Sequence, residues 1–166
     1  MFRFLLAAAI LASTPALAAD DDWPSIKGAR LSGQQPFAAF AVYKADGAVT
    51  GVSLYPRETG FAARRLAGQV ESWTTTERCP ALSAALEGLE DLPIPRLDVP
   101  GLGRTPRGTA MALDGDSYFL WADGARWGGG AHAATLEVRA VNGSPLADWI
   151  DQALTSAGGC WSAARP

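Results

Sequence analysis

The chain has 166 residues, of which 48% are apolar and 19% charged, with a formal charge of −3. The apolar share is that of an ordinary folded domain, which leaves disorder a poor account of most of the chain. The acidic balance argues against nucleic-acid binding driven by counterion release, and it gives no attraction to anionic lipid.

In chain order, the first segment reads as a secretory signal. Arg3 is the only charge before Asp20, Leu5 to Leu11 is almost wholly Leu, Ala and Ile, and Ser13, Thr14 and Pro15 then break the run. Ala16-Leu17-Ala18 is a small-x-small cleavage pattern, so residues 1–18 are expected to be removed, with Ala19 as the second choice of site. The run falls short of the ~20 residues that span a bilayer. No Cys follows the small residues, which argues against a lipid anchor, and no later stretch has the length and apolarity of a membrane span. Residues 19–28, acidic and then turn-rich, are expected to form a flexible N-terminal segment. Residues 29–166 are expected to form a single domain.

From Ala29 to Thr76 the pattern is strand-like. Phe37 to Tyr43 and Val49 to Tyr55 flank Asp46-Gly47, a hairpin turn that needs the positive φ values Asp and Gly tolerate. Phe61 to Leu66 and Gln69 to Thr76 form a second pair around Ala67-Gly68, with the β-branched Thr74-Thr75-Thr76 favouring a strand. The period changes at Cys79: Pro80 suits a first helical turn, Leu82, Ala85, Leu86 and Leu89 share one side, and the helix is expected to end near Leu92. Pro93 to Gly108 carries four prolines and three glycines, too many for a regular element. A loop that long inside a compact domain points to function or mobility.

Strands resume at Thr109 to Leu113. Asp114-Gly115 signals a hairpin into Ser117 to Trp121, Asp123-Gly124 and Gly128-Gly129-Gly130 mark another loop, and Ala134 to Val141 is a further strand. Ser144-Pro145 opens a second helix as cap and first residue. Leu146, Trp149, Ile150, Ala153 and Leu154 form its stripe, and Gly158-Gly159 stop it. The predicted class is therefore α+β: an antiparallel sheet built from hairpins, with two helices packed on one face. The two cysteines, Cys79 and Cys160, are expected to form a single disulfide in an exported chain. Closing a loop of roughly 80 residues, it would contribute on the order of 4 kcal/mol. Their spacing is not that of a redox pair, and a single His makes a Cys/His zinc site improbable.

Candidate functional residues are scattered. His132, the lone histidine, follows the glycine run and has the chemistry of a general base, but a triad also needs a nucleophile and an orienting acid. No serine is set for the first role: Gly51-Val-Ser-Leu-Tyr lacks the second glycine of a nucleophile elbow. Asp114, Asp116 and Asp123 lie close in sequence, as paired acids of a glycosidase or oxygen ligands for calcium would. Asp114 and Asp116 also flank a glycine where turns ordinarily place aspartates. Glu87, Glu90 and Asp91 at the end of the first long helix read as a solvated face. Arg96, Arg104 and Arg107, opposed only by Asp98, punctuate the proline-rich loop as a receiver of anionic groups would. Tyr118, Phe119, Trp121 and Trp127 crowd one region. Alternation sends Tyr118 and Leu120 to one face and Phe119 and Trp121 to the other, so one pair is exposed unless the sheet is covered twice. Tyr118, Trp121 and Trp127 are thus candidates for stacking on a ligand or partner.

The stretch Asp114-Gly-Asp-Ser-Tyr-Phe-Leu resembles the periplasmic lysozyme inhibitors, which carry a Gly-x-x-Tyr hairpin on a small β-barrel; Gly115 and Tyr118 occupy the motif positions. The second motif of that family, Ser-Gly-x-x-Tyr, has no counterpart, since Gly124-Ala-Arg-Trp127 lacks the serine and replaces the tyrosine, and two helices do not suit the barrel. The expectation is a periplasmic or secreted bacterial domain with no cofactor and no metal, working by non-enzymatic binding of an envelope protein or small ligand. The alternatives are a periplasmic hydrolase using His132 with nearby carboxylates, and, as the resemblance implies, an inhibitor of an envelope enzyme such as a lysozyme. Oligomeric state is left open.

Overall fold

A computed structural model describes residues 22–93, 115–126 and 133–166. The expected signal at 1–18 lies outside them. Six strands form one antiparallel sheet: β1 (Ala38–Tyr43), β2 (Val49–Pro56), β3 (Phe61–Ala67), β4 (Val70–Thr75), β5 (Ser117–Arg126) and β6 (Ala133–Val141), in the order β4-β3-β2-β1-β5-β6. Three helices accompany them: α1 (Asp22–Gly28), α2 (Pro80–Glu87), which tightens into a 3-10 turn over Gly88–Asp91, and α3 (Pro145–Ser156).

The hairpins at Asp46-Gly47 and Ala67-Gly68 form as their turn residues require, with both glycines at positive φ. α3 starts where its cap dictates: the Ser144 hydroxyl accepts from the Ala147 amide at 3.1 Å, and Pro145 fills the first turn. Cys79 and Cys160 are joined, Cα to Cα 5.4 Å, across 81 positions of sequence.

β1 is the centre of the molecule, buried along all six residues. Ala38, Phe40 and Val42 enter a cluster with Val52, Leu54, Cys79, Leu82, Leu146, Trp149, Ile150 and Ala153. The Trp149 ring meets Phe40 edge-on at 5.2 Å, and its indole N–H donates to the Ala85 carbonyl at 2.7 Å. Ala39, Ala41 and Tyr43 point the other way, to Phe119 and to Trp23 and Ile26 of α1.

Helix α1 corrects the expectation of a flexible segment over residues 22–28; residues 19–21 lie outside the described residues. Its few apolar residues gave no periodicity, yet Trp23 and Ile26 are buried. Gly51 makes room for them, since a β-carbon there would run into the Ile26 side chain. The buried Ser53 hydroxyl donates to the Ile26 carbonyl at 2.7 Å, and the Tyr55 hydroxyl to that of Ala29 at 3.1 Å. The apolar surface of the sheet, not the propensity of the segment, orders it. The sheet therefore carries helical residues against both of its faces, not one.

Within the described residues, Ser117 to Trp121 pair with β1 on one side and β6 on the other, while Asp114 of the expected hairpin lies outside them. Thr109 to Leu113 lie outside the described residues. Asp123-Gly124 is not a loop but a bulge within β5: the register to β6 shifts between Ala122 and Ala125, and Gly124 takes φ +84°.

Candidate functional site

At one end of the sheet, Lys44 just after β1 and Asp116 just before β5 are brought together by the pairing of Tyr43 with Ser117. The Lys44 ammonium donates to Asp116 Oδ2 at 2.7 Å, the Ala45 amide to Asp116 Oδ1 at 3.0 Å, and the ammonium stands 3.9 Å from Asp151 of α3. The Tyr118 hydroxyl donates to Asp151 Oδ2 at 2.8 Å. The hydrogen bond to Asp116 raises the Lys44 pKa, and the hydrogen bond from Lys44 lowers that of Asp116. Burial, with the hydrogen bond to Asp151, raises that of Tyr118. Each shift moves its group away from neutrality. A cluster whose charges are fixed in this way holds β1, β5 and α3 in place and is poorly suited to exchanging protons at pH 7.

Asp116 and Asp123, two of the acids read as a group, are not neighbours. Asp123 sits seven residues along β5 from Asp116, roughly 20 Å at strand rise, against the roughly 5–9.5 Å between the carboxylates of a glycosidase. Its side chain meets Thr135 Oγ1 at 3.4 Å instead. Asp114, Arg96, Arg104, Arg107, Trp127 and His132 lie outside the described residues; the last two belong to residues 127–132, which join β5 to β6. Tyr118 is buried in the main core and Phe119 against α1, while Trp121 is half-buried beside Phe119. Covering on both faces thus removes the expected exposed pair, and the Tyr118 of the Gly-x-x-Tyr match is a packed, bonded side chain rather than a presented one. Among the described residues no group of three or more His, Cys, Asp and Glu side chains could hold a metal ion. Among them also, no helix is long and apolar enough to cross a membrane.

A pocket of about 140 Å³ lies between the turn at Leu31, Ser32 and Gln34, the β2–β3 hairpin and Pro166, well under the ~300 Å³ at which small-molecule sites begin.

The two sheet edges are treated differently. Beyond β4, the C-terminal tail is bound: Trp73 and Ser162 exchange both backbone hydrogen bonds, at 2.7 and 3.0 Å. Arg78 donates to the Ser162 hydroxyl at 2.7 Å, and the Arg165 guanidinium lies 5.0 Å over the Trp73 ring. Beyond β6 no strand pairs among the described residues. β6 is nine residues long, and it exposes Leu136 (46%) and Val141 (47%). It carries no proline, and its two charged residues are Glu137 and Arg139.

The direction of its free groups follows from the ladder. The Lys44 amide bonds to Ala48 of the β2 side and the Asp123 amide to Phe37, so the odd-numbered residues of β1 and β5 bond to each other. The even-numbered residues of β5 therefore bond to β6, through Leu136, Val138 and Ala140. Thr135, Glu137 and Arg139 turn their N–H and C=O groups outward, as does Val141 at the strand end, whose C=O also accepts from the Ser144 amide at 3.3 Å. Sequence reasoning placed this strand but missed that it is an edge, because strand order is not written in hairpin signals. No family model, no curated protein and no solved structure matches the chain.

Proposed function

We infer that this chain is an exported domain that works by binding a polypeptide, not by turnover, and that the partner adds a strand along the outer edge of β6. The observation that carries the reading is that edge: a nine-residue strand with outward backbone groups and two exposed apolar side chains, unpaired among the described residues, while the other edge strand, β4, is tied to the tail at Trp73 and Ser162. Export is supported by the signal pattern at residues 1–18 and by the disulfide, which persists in oxidising compartments. Inhibition of an envelope enzyme is one result such binding would have.

The test is capture. The full chain, tagged at its C-terminus, is expressed and recovered from the periplasm, its N-terminus is read by mass spectrometry, and bound polypeptides, untagged copies of the chain included, are identified. Arg139→Pro removes an outward N–H at an edge position that tolerates proline. The expected result is a chain beginning at Ala19 with bound polypeptide that the variant loses. Equal retention by both proteins, or no bound polypeptide, would reject the binding surface; an intact Met1 would reject export.

A further inference from the structure

The free edge of β6 has a charge pattern that complements itself. Glu137 and Arg139 are the only charged residues of the strand, and both belong to the set whose backbone groups face outward. When a strand pairs antiparallel with a copy of itself around a two-fold axis, the numbers of facing residues have a constant sum. Because the outward-bonding residues are all odd-numbered, hydrogen-bonded pairs in such a ladder join odd to odd. A sum of 276 sets Val138 on the axis, facing its own copy as a pair without mutual backbone bonds. Glu137 then faces Arg139, twice; Leu136 faces Ala140; and Thr135 faces Val141.

Neighbouring registers lack this match. Shifting the partner by two residues one way sets Glu137 opposite Glu137, and the other way sets Arg139 opposite Arg139, like charges that destabilise a cross-strand pair. The apolar positions agree with the same register: Leu136, 46% exposed in the single chain, lies against the small Ala140 of the copy, next to the paired valines. Arg139, with 60% of its side chain exposed, stacks its guanidinium 4.9 Å over the Phe119 ring, which holds it on the face where Glu137 lies. Glu137 already accepts from Lys27 at 2.8 Å and from the Trp23 indole at 3.3 Å, with Arg139 of its own chain at 3.5 Å. Its carboxylate is thereby fixed beside the edge instead of roaming in solvent.

We propose that the polypeptide added at β6 is a second copy of this chain, paired antiparallel about Val138, so that two six-stranded sheets become one continuous sheet. This rests on the binding reading above and names its partner.

The experiment is sedimentation of the full-length product as recovered from the periplasm, disulfide intact, over a range of chain concentrations through the micromolar. Wild type is expected to run at twice the chain mass. Glu137→Arg and Arg139→Glu are each expected to run as monomers, because each sets like charges opposite in the register centred on Val138. An equimolar mixture of the two variants is expected to return to the dimer mass, since one then supplies two arginines and the other two carboxylates. That recovery also shows that both variants are folded, which circular dichroism checks independently. A monomeric wild type, or single variants that stay dimeric, or a mixture that does not recover, would overturn the proposal. A monomeric wild type whose Arg139→Pro variant still loses a bound polypeptide would overturn only the identity of the partner and leave the binding reading standing. Capture indifferent to Arg139→Pro would remove the binding reading itself.

Discussion

Lys44 and Asp116 lie 72 positions apart and meet at 2.7 Å because β1 and β5 are neighbours. Their mutual bond fixes a pH window. The folded pKa of Asp116 is depressed, so its contribution is complete above the unfolded value of about 3.9 and is lost as pH falls through the lower folded value. That of Lys44 is raised, so its contribution is complete below its unfolded value of about 10.4 and is lost as pH rises through the higher folded one. Between these limits the pair contributes a constant amount. Asp116→Asn is therefore expected to shift the urea midpoint at neutral pH and to flatten part of its decline in acid below about pH 4, with the carboxylates of Glu71 and Glu137, also depressed, keeping the remainder. An acid limb identical to that of wild type would show that the contact contributes nothing in solution. The spacing of the aspartates in this region suited turn residues as well as a site. In the fold Asp116 is a tether and Asp123 adjoins a bulge, and a spacing of seven on an extended strand separates them instead of gathering them.

Among the elements, α1 shows where local reasoning ends. Seven residues do not make a stable helix alone, and the single-strand pattern of β2 gives no sign that Gly51 and Ser53 are a docking place for it. Gly51→Ala places a methyl group in the space that Ile26 occupies, and is expected to lower the stability of the chain by about 1–3 kcal/mol, the usual range for overpacking. In an Ile26→Ala background the same change is expected to cost clearly less, because the colliding atoms are gone. Equal costs in both backgrounds, measured by denaturant unfolding, would mean that α1 does not seat there. By contrast α3 was legible to the residue. Ser144, Pro145 and a five-residue apolar stripe are local signals, and the hydroxyl caps the helix as its place in the sequence demands. The bulge at Ala122–Ala125 was half-legible. An Asp-Gly pair asks for positive φ, which a loop and a bulge both supply, and only the pairing of β6 across it decides between them.

For the molecule as a whole, the disulfide closes a loop that contains α2, β5, β6 and α3 and ties the start of α2 to the tail that pairs with β4 at Trp73. Replacing both cysteines by serine is expected to destabilise the chain by about 2–5 kcal/mol, read as a fall in urea midpoint relative to the oxidised protein. The tail residues after Cys160 should lose amide protection with it. An unchanged midpoint would mean that the unfolded chain gains little freedom when the bridge is absent. The tail pairs with β4 at Trp73, no strand pairs beyond β6 among the described residues, and the self-complementary charges fall on the β6 side.

What depends on neighbours in the chain was legible before folding: the hairpins at Asp46-Gly47 and Ala67-Gly68, the α3 cap, the α+β class, and, from the count of two cysteines, the one possible bridge. Turn dihedrals, capping bonds and apolar periodicity act within a few residues, so their signatures are local. That β1 lies between β2 and β5, that α1 covers the second face, and that β6 ends the sheet among the described residues came from the three-dimensional packing. Each of these is settled by which apolar surfaces meet across more than a hundred residues at the extremes. That competition is won by the whole buried area, and no single stretch of sequence records it.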